Sequence, residues 1–243
     1  MSFLHLDRIS KVYPANGSDL HVLDDFSLTV EEGEFVVIVG PSGCGKSTLL
    51  RTVAGLEPPT SGEITLRGEV VNGWGRDRTL IFQEYSLFPW LTARQNMAFG
   101  LRLMGQPEAE RHQVADEWLE HLGLAAFADY YPHELSGGMQ QRVALGRALA
   151  VDPAVLLMDE PFAAVDALTR TRLQREVRAV CQGKTVLFVA HSIREAILLA
   201  DRIIILTHRP ARVRREITVE LPHPRSIGAE EAALEVAIEG ELL

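Results

Sequence analysis

Cysteine is nearly absent: Cys44 and Cys181 are the only two in 243 residues. They lie far apart and outside any spacing that builds a disulfide framework or a thiolate metal site, so the sequence reads as one made for a reducing compartment. Long apolar runs are missing too. The longest are short clusters such as FVVIV from Phe35 to Val39. Roughly 18 residues are needed to span a bilayer, so any membrane role has to pass through a partner. Basic charge is in deficit, with 24 Lys plus Arg against 33 Asp plus Glu and a net of −9. The averaged field repels nucleic acid and anionic lipid, and only a local basic groove would reverse that. No signal peptide is expected, because Asp7 and Arg8 interrupt the stretch that would have to be apolar. No internal repeat or low-complexity tract occurs. A composition of 47% hydrophobic and 23% charged residues excludes a disordered chain. At this length roughly 70 to 75% of the unfolded surface is buried on folding, which suits one full core with a smaller satellite.

What the sequence does contain is a series of short, continuous apolar runs. They are FVVIV (Phe35 to Val39), TLIFQ (Thr79 to Gln83), VLLM (Val155 to Met158), TVLFVA (Thr185 to Ala190) and IIIL (Ile203 to Leu206). Apolarity without alternation suits strands buried on both faces of a helix-covered parallel sheet, and bounding Gly, Pro and Asp favour strand over buried helix. Helical stretches fall between them. Ser192 to Ala200 has a capping-box spacing at Ser192 and Glu195, with Ile193, Ile197 and Ala200 as one stripe, and a second helix is expected over Thr169 to Cys181. This alternation predicts an α/β layer. The first 30 residues and Ser61 to Val71 carry shorter β-like segments and predict an antiparallel layer beside the main sheet. From Tyr85 to Ala150 no strand-like run occurs. Pro107 to Leu122 there places Val114, Trp118 and Leu122 four apart, the stripe of an amphipathic helix. After Leu206 a hairpin and a C-terminal helix are expected, and the acidic tail after Ser226 reads as solvated.

Three motifs carry chemistry. Gly40-Pro41-Ser42-Gly43-Cys44-Gly45-Lys46-Ser47-Thr48 matches GxxxxGK[ST] and sits between a strand-like run and a helix-compatible one. Its glycines let backbone N–H groups wrap phosphate oxygens, and the following helix start adds a positive dipole. Lys46 would reach the β- and γ-phosphates, and Ser47 would hold Mg²⁺. Cys44, next but one to Lys46, is a candidate for alkylation that blocks the loop. Asp159 and Glu160 close the apolar run VLLM with two adjacent carboxylates, which a purely structural strand would avoid. Asp159 suits a carboxylate that bonds Mg²⁺ or its waters, and Glu160 a base that polarises water attacking the γ-phosphate. Leu135-Ser136-Gly137-Gly138-Met139-Gln140-Gln141-Arg142 opens a helix through Ala150 with Ser136 as N-cap. By itself that segment is either a second anion site, for a second anion or for one closed by another subunit, or a simply capped helix.

The order GPSGCGKST, then LSGGMQQR about 90 residues on, then LLMDEP resembles the ATP-binding subunit of an ABC transporter, over essentially Phe3 to Leu221. The resemblance implies the corresponding fold: a P-loop NTPase core with a mainly parallel sheet, an antiparallel β layer and a helical subdomain. It divides the chain into a nucleotide-binding core (1–84 and 151–220), a helical subdomain with the signature motif (85–150) and a C-terminal tail (221–243). Tyr13 resembles the aromatic that stacks on adenine. Gln83 resembles the glutamine that senses Mg²⁺ and the attacking water, His191 the histidine at the γ-phosphate, and Asp166 the aspartate of the loop crossing the dimer. One departure is Phe162-Ala163-Ala164-Val165, where relatives carry Gly or Ser followed by Ala-Leu.

The implied unit is a head-to-tail homodimer, or paired cassette, in which Ser136, Gly137, Gly138 and Gln140 of one chain cover the ATP held by Lys46 of the other. A finer resemblance, carried by FQEYSLFPWLTARQNMAFGL and RPARVRREITVELPHPR, is to the nitrate, sulfonate and taurine importer group. In that group Leu87, Phe88, Pro89 and Trp90 would border the groove for a membrane permease. A periplasmic or lipoprotein solute-binding protein and a place on the cytoplasmic face of the membrane are implied with it, and no nucleic acid is expected. The competing reading is a soluble ABC-type ATPase acting on nucleic acid or ribosomes. The single cassette, the lack of a heptad insertion and the net charge of −9 disfavour it. A small-molecule kinase would leave LSGGMQQR and His191 unexplained.

Overall fold

The computed structural model describes residues 3–15, 17–163, 165–225 and 228–242. Strands β1 (Leu4–Tyr13) and β2 (Leu20–Val30) form an antiparallel ribbon. Their pairing shifts register three times between Leu6 and Val12, which breaks the period-2 pattern and is why the sequence shows only short β-like pieces there. β3 (Phe35–Val39) leaves this layer, and the chain returns to it after helix α1 (Lys46–Val53) as β4 (Ser61–Leu66) and β5 (Glu69–Val70). The result is a four-stranded antiparallel sheet in the order β2-β1-β4-β5.

The remaining strands are β6 (Arg78–Ile81), β7 (Val155–Asp159), β8 (Thr185–Val189), β9 (Arg202–Leu206) and β10 (Val213–Thr218). With β3 they form a second sheet ordered β10-β9-β3-β8-β7-β6, parallel except for the hairpin partner β10. Every residue of β3, β7 and β8 is buried. The pleat sends alternate side chains to two cores. Phe35, Val37 and Val39 join one with Met158 and Phe188, while Val36 and Ile38 join the other with Leu157 and Leu187, against α1 and the antiparallel sheet. Burial on both faces explains the unalternated runs of the sequence. β6 is shorter than expected and ends at Ile81, so Phe82 and Gln83 lie beyond the sheet on an exposed segment.

Between β6 and β7 lie α2 (Ala93–Leu103), α3 (Glu108–His121) and α4 (Gly137–Ala150). A reciprocal capping box at Thr92 and Gln95 opens α2. The buried face of α3 is Ala115 and Leu119, continued by Leu122, whereas Val114 and Trp118 only flank it half-buried. The buried stripe therefore runs one residue on from the expected Val114 and Trp118 before meeting the expected Leu122.

Helices α5 (Ala167–Val180), α6 (Ile193–Leu199) and α7 (Ala229–Leu242) complete the fold. α5 starts two residues before the expected Thr169 because the Asp166 carboxylate accepts from the Thr169 N–H at 3.1 Å and caps it. Ala164 of the variant segment before it, and Ser226 at the head of the acidic tail, lie outside the described residues. The tail is not merely solvated: Ile238 of α7 is fully buried. Ahead of it Arg225, 5% exposed, clamps the end of α6. Its guanidinium donates to the carbonyls of Ile197 (2.7 Å), Ala200 (2.5 Å), Val219 (3.0 Å) and Leu221 (2.9 Å).

Candidate functional site

In an open parallel sheet, groups at the C-terminal ends of neighbouring strands converge on one edge. Here β3 ends at Val39 before Gly40, β7 at Asp159 before Glu160, and β8 at Val189 shortly before His191. The segment Gly40 to Gly45 loops from β3 into α1. Gly45 has φ 124°, and a Cβ there would come 2.8 Å from Val22 Cγ1, so only glycine fits. Pro41 is half-buried, while Ser42 and Gly43 are exposed at the crest. Cys44 points inward, 1% exposed, and burial pushes its thiol above the ordinary range. The alkylation expected from its place in the loop is therefore overturned, because the reactive thiolate is neither exposed nor favoured.

Lys46 folds over the loop, its Nζ donating to the carbonyls of Gly40 at 3.0 Å and Pro41 at 3.3 Å and lying 3.9 Å from Glu160 Oε1. Ser47 Oγ donates to Asp159 Oδ1 at 3.1 Å. One hydroxyl beside one buried carboxylate is an oxygen donor pair that suits Mg²⁺, which keeps most of its waters and takes its other ligands from phosphate. Among the described residues no group of three or more His, Cys, Asp and Glu offers a cation a full protein cage. Glu160 has φ 44°, a backbone region that strains a side chain with a Cβ. It turns the chain out of β7, and the carboxylate stands 3.9 Å from Lys46 Nζ and 3.7 Å from His191 Nδ1.

The His191 ring is 70% exposed, but its backbone N–H donates to Glu195 Oε2 at 2.9 Å. Ser192 caps α6 as expected, accepting from the Glu195 N–H at 3.2 Å. The return bond of a capping box goes instead to the residue before the cap. Glu195, missed as a site residue, was visible in the sequence only as a cap.

Tyr13 is half-buried at the end of β1. Its hydroxyl donates to Glu57 Oε2, and Lys11 Nζ lies 5.0 Å from the ring centroid. Burial first and the Glu57 carboxylate second raise the phenol's pKa. Thr48 is half-buried in the first turn of α1, and its carbonyl accepts from Thr52 Oγ1 at 2.8 Å.

The glycine-rich helix start is a separate place. Ser136 Oγ accepts from the Met139 N–H at 3.4 Å, and Ser136 and Gly137 are exposed. A Cβ on Gly138 would come 3.1 Å from Thr169 Cγ2, so α4 and α5 approach closely there. Gln140 donates to the carbonyls of Pro132 (2.9 Å) and Leu135 (3.1 Å), which shapes the turn before Ser136. Gln83 lines a cleft of about 510 Å³ with Tyr85, Pro132 and Gln140. Among the described residues the hydrogen bonds of Ser136 and Gln140 stay within their own segment, to Met139, Pro132 and Leu135, and none of them goes to the Gly40–Thr48 loop of the same chain.

Beyond this cleft lies an apolar groove of about 720 Å³ lined by Trp74, Phe82, Phe88, Phe99 and Leu103. Trp90 is 69% exposed beside it, its ring 5.6 Å from Phe88. Arg147 of α4, not singled out in the sequence, donates to the carbonyls of Ser86 (2.7 Å) and Tyr85 (3.1 Å) and covers the Phe88 ring. No described helix is long and apolar enough to cross a membrane.

The family described as ABC transporter matches residues 23–163. The nitrate import ATP-binding protein NrtD of Synechocystis sp. is 46% identical over 221 residues, 90% of this chain and 83% of that protein. The bicarbonate transport ATP-binding protein CmpC of Synechococcus elongatus is 44% identical over 229 residues, 92% of this chain and 34% of that protein. A dimeric ATP-binding cassette solved in a post-hydrolysis state with ADP and Pi is similar at a TM-score of 0.79 and 34% identity, covering 90% of this chain and all of that one.

Proposed function

Because the chain belongs to the ABC transporter family, as an ATP-binding subunit and ATPase, we propose that it drives import of a small oxyanion or related compound, two copies closing head to tail around two ATP. The observation that carries this reading is the arrangement of Lys46, Asp159 with Ser47, Glu160 and His191 at one sheet edge, while the helix start at Ser136, Gly137 and Gly138 stands apart from it, with Ser136 and Gly137 exposed and Gly138 half-buried. One chain has both halves of a phosphate site and brings only one of them to the loop. A second copy supplies the other.

In this reading the backbone N–H groups of Gly43 to Ser47 and the Lys46 ammonium bind the β- and γ-phosphates. Tyr13 packs on the base. Ser47 and Asp159 would hold Mg²⁺, with Gln83 as a further oxygen donor, and the ion would supply neutralisation of phosphate charge. Glu160 takes the proton of the water that attacks the γ-phosphorus as the bond to the ADP oxygen breaks, and His191 steadies the γ-phosphate oxygens. Asp166 lies at the crossing loop. In the same reading the groove under Phe88 and Trp90 receives an integral membrane permease, with the chain at the cytoplasmic face and in a complex with a solute-binding protein. Nitrate and bicarbonate relatives at 46% and 44% identity support a small oxyanion and leave its choice to those partners.

The test is light scattering after size-exclusion chromatography of Glu160→Gln with and without MgATP. Turnover should fall by roughly 10² to 10⁴, the contribution of one general base. Trapped ATP should double the mass from 26.9 kDa, and Ser136→Arg should prevent the doubling. A persistent monomer with ATP bound would refute the head-to-tail pair.

A further inference from the structure

We propose that Glu195 is the positioning residue for His191, fixing it through the main chain and tying its place to the loop that ends at Asp166. The assignment rests on the γ-phosphate role given to His191 above. Glu195 is only 5% exposed, and a carboxylate so buried is costly unless its oxygens are bonded. Both are: Oε2 accepts from the His191 N–H at 2.9 Å and Oε1 from Gln174 Nε2 at 3.0 Å. An ordinary capping box would place the carboxylate on the Ser192 N–H. Here it reaches one residue further back and takes the peptide group that carries the imidazole. The ring itself is 70% exposed with the Glu160 carboxylate 3.7 Å away, so it is the anchored main chain that fixes where the imidazole stands.

The other side of Glu195 faces α5. Gln174 belongs to that helix, and so does Arg170; burial raises the Glu195 carboxyl above its ordinary range, and the bonds from His191 and Gln174 and then the Arg170 charge act against it. Arg170 Nη2 donates to the Val165 carbonyl at 2.8 Å, while its Nε is buried without a partner. The first turns of α5, capped by Asp166, therefore touch both the Val165–Asp166 segment and the group that holds His191. A shift of that segment moves α5 and, through Gln174 and Arg170, the Glu195 carboxylate. In a pair of chains closing over ATP, the approach of one chain's loop is thus reported to the histidine behind it.

The experiment compares wild type, His191→Ala, Glu195→Ala, Glu195→Gln and the double variant His191→Ala/Glu195→Ala, as full chains with MgATP. Glu195→Ala should lower kcat by about 10- to 100-fold, as a catalytic group misplaced by about 1 Å does, and leave KM for ATP within about twofold. Glu195→Gln should recover most of the rate, because its amide oxygen still accepts from the His191 N–H and its amide nitrogen can face a flipped Gln174. The double variant should be no slower than His191→Ala. Hydrogen exchange of the peptide containing His191 should quicken in Glu195→Ala and not in Glu195→Gln. If Glu195→Ala fails to fold, Glu195→Asp, one methylene short of the amide, replaces it.

A Gln variant as slow as Ala, multiplicative losses in the double variant, or unchanged exchange would each overturn the positioning role. Full turnover in His191→Ala would instead remove the γ-phosphate role itself, an outcome separable from the others by that single variant.

Discussion

Replacing Arg225 by Met should destabilise the chain by about 3 to 5 kcal/mol, mostly through four carbonyls left without a donor. The guanidinium is enclosed, at 5% exposure, and bonds the carbonyls of Ile197, Ala200, Val219 and Leu221 at 2.5 to 3.0 Å. Charge-assisted bonds contribute about 1.5 to 3 kcal/mol each, so a plain sum gives roughly 6 to 12. That sum is too large, since the variant regains the desolvation cost of a buried cation and Met keeps the packing of the stem. Water also reaches the half-buried Leu221. For a chain of this length each kcal/mol lowers Tm by about 2 to 4 °C, so a drop of roughly 6 to 20 °C is expected in thermal melts followed by circular dichroism. Lys, with three donors, should recover part of it. Because Arg225 contacts no residue of the phosphate loop, kcat well below the transition should stay within about twofold. A Tm shift under about 2 °C would show that these bonds contribute nothing net.

Both thiols are buried, Cys181 pushed up to about 12 and Cys44 raised as well, so the native chain should leave a disulfide reagent such as Ellman's unreacted while denaturant releases two thiols; rapid reaction of one native thiol would contradict that burial. Burial, then Arg225 and Arg178, lower His223 to about 4 from 6.5. Between those values the unfolded chain binds the extra proton, so stability present above about pH 6.5 is lost as pH falls toward 4. His223→Gln should flatten that limb of a urea-midpoint titration, and an unaltered limb would assign it to other groups. Lys46→Ala should weaken ATP binding by about 10³-fold, the equivalent of roughly 4 kcal/mol for unit charges 4 Å apart at an effective dielectric of 20. An unchanged Kd in a fluorescent-nucleotide titration would remove Lys46 from the phosphate role.

The strands were legible because burial on both faces writes an unbroken apolar run, and β3, β7, β8 and β9 fall within a residue of those runs. The phosphate loop was legible because left-handed backbone at Gly43 and Gly45 calls for glycine, and the start of α4 because a small hydroxyl caps it. What stayed hidden has one physical character: contacts between side chains and distant main chain. Arg225 and Arg147 both bond carbonyls from other elements, and nothing local marks an arginine that does so. Glu195 showed its helix-cap spacing and concealed its acceptor. Cys44 was legible by position and misleading in reactivity, because the loop turns it inward. Ala115 stayed hidden because a methyl side chain carries little apolar signal beside Val114 and Trp118, although it is fully buried.

The backbone of Glu160 has a consequence for how such a protein can be improved. A left-handed conformation costs a residue with a Cβ about 1 to 2 kcal/mol, and glycine is free of that cost. A library screened for survival of heat alone will therefore enrich Gly at position 160, and each of those winners will have discarded the carboxylate. Stability and turnover compete at that single site. The residue found there in any hardened variant is a record of whether catalysis was kept under selection.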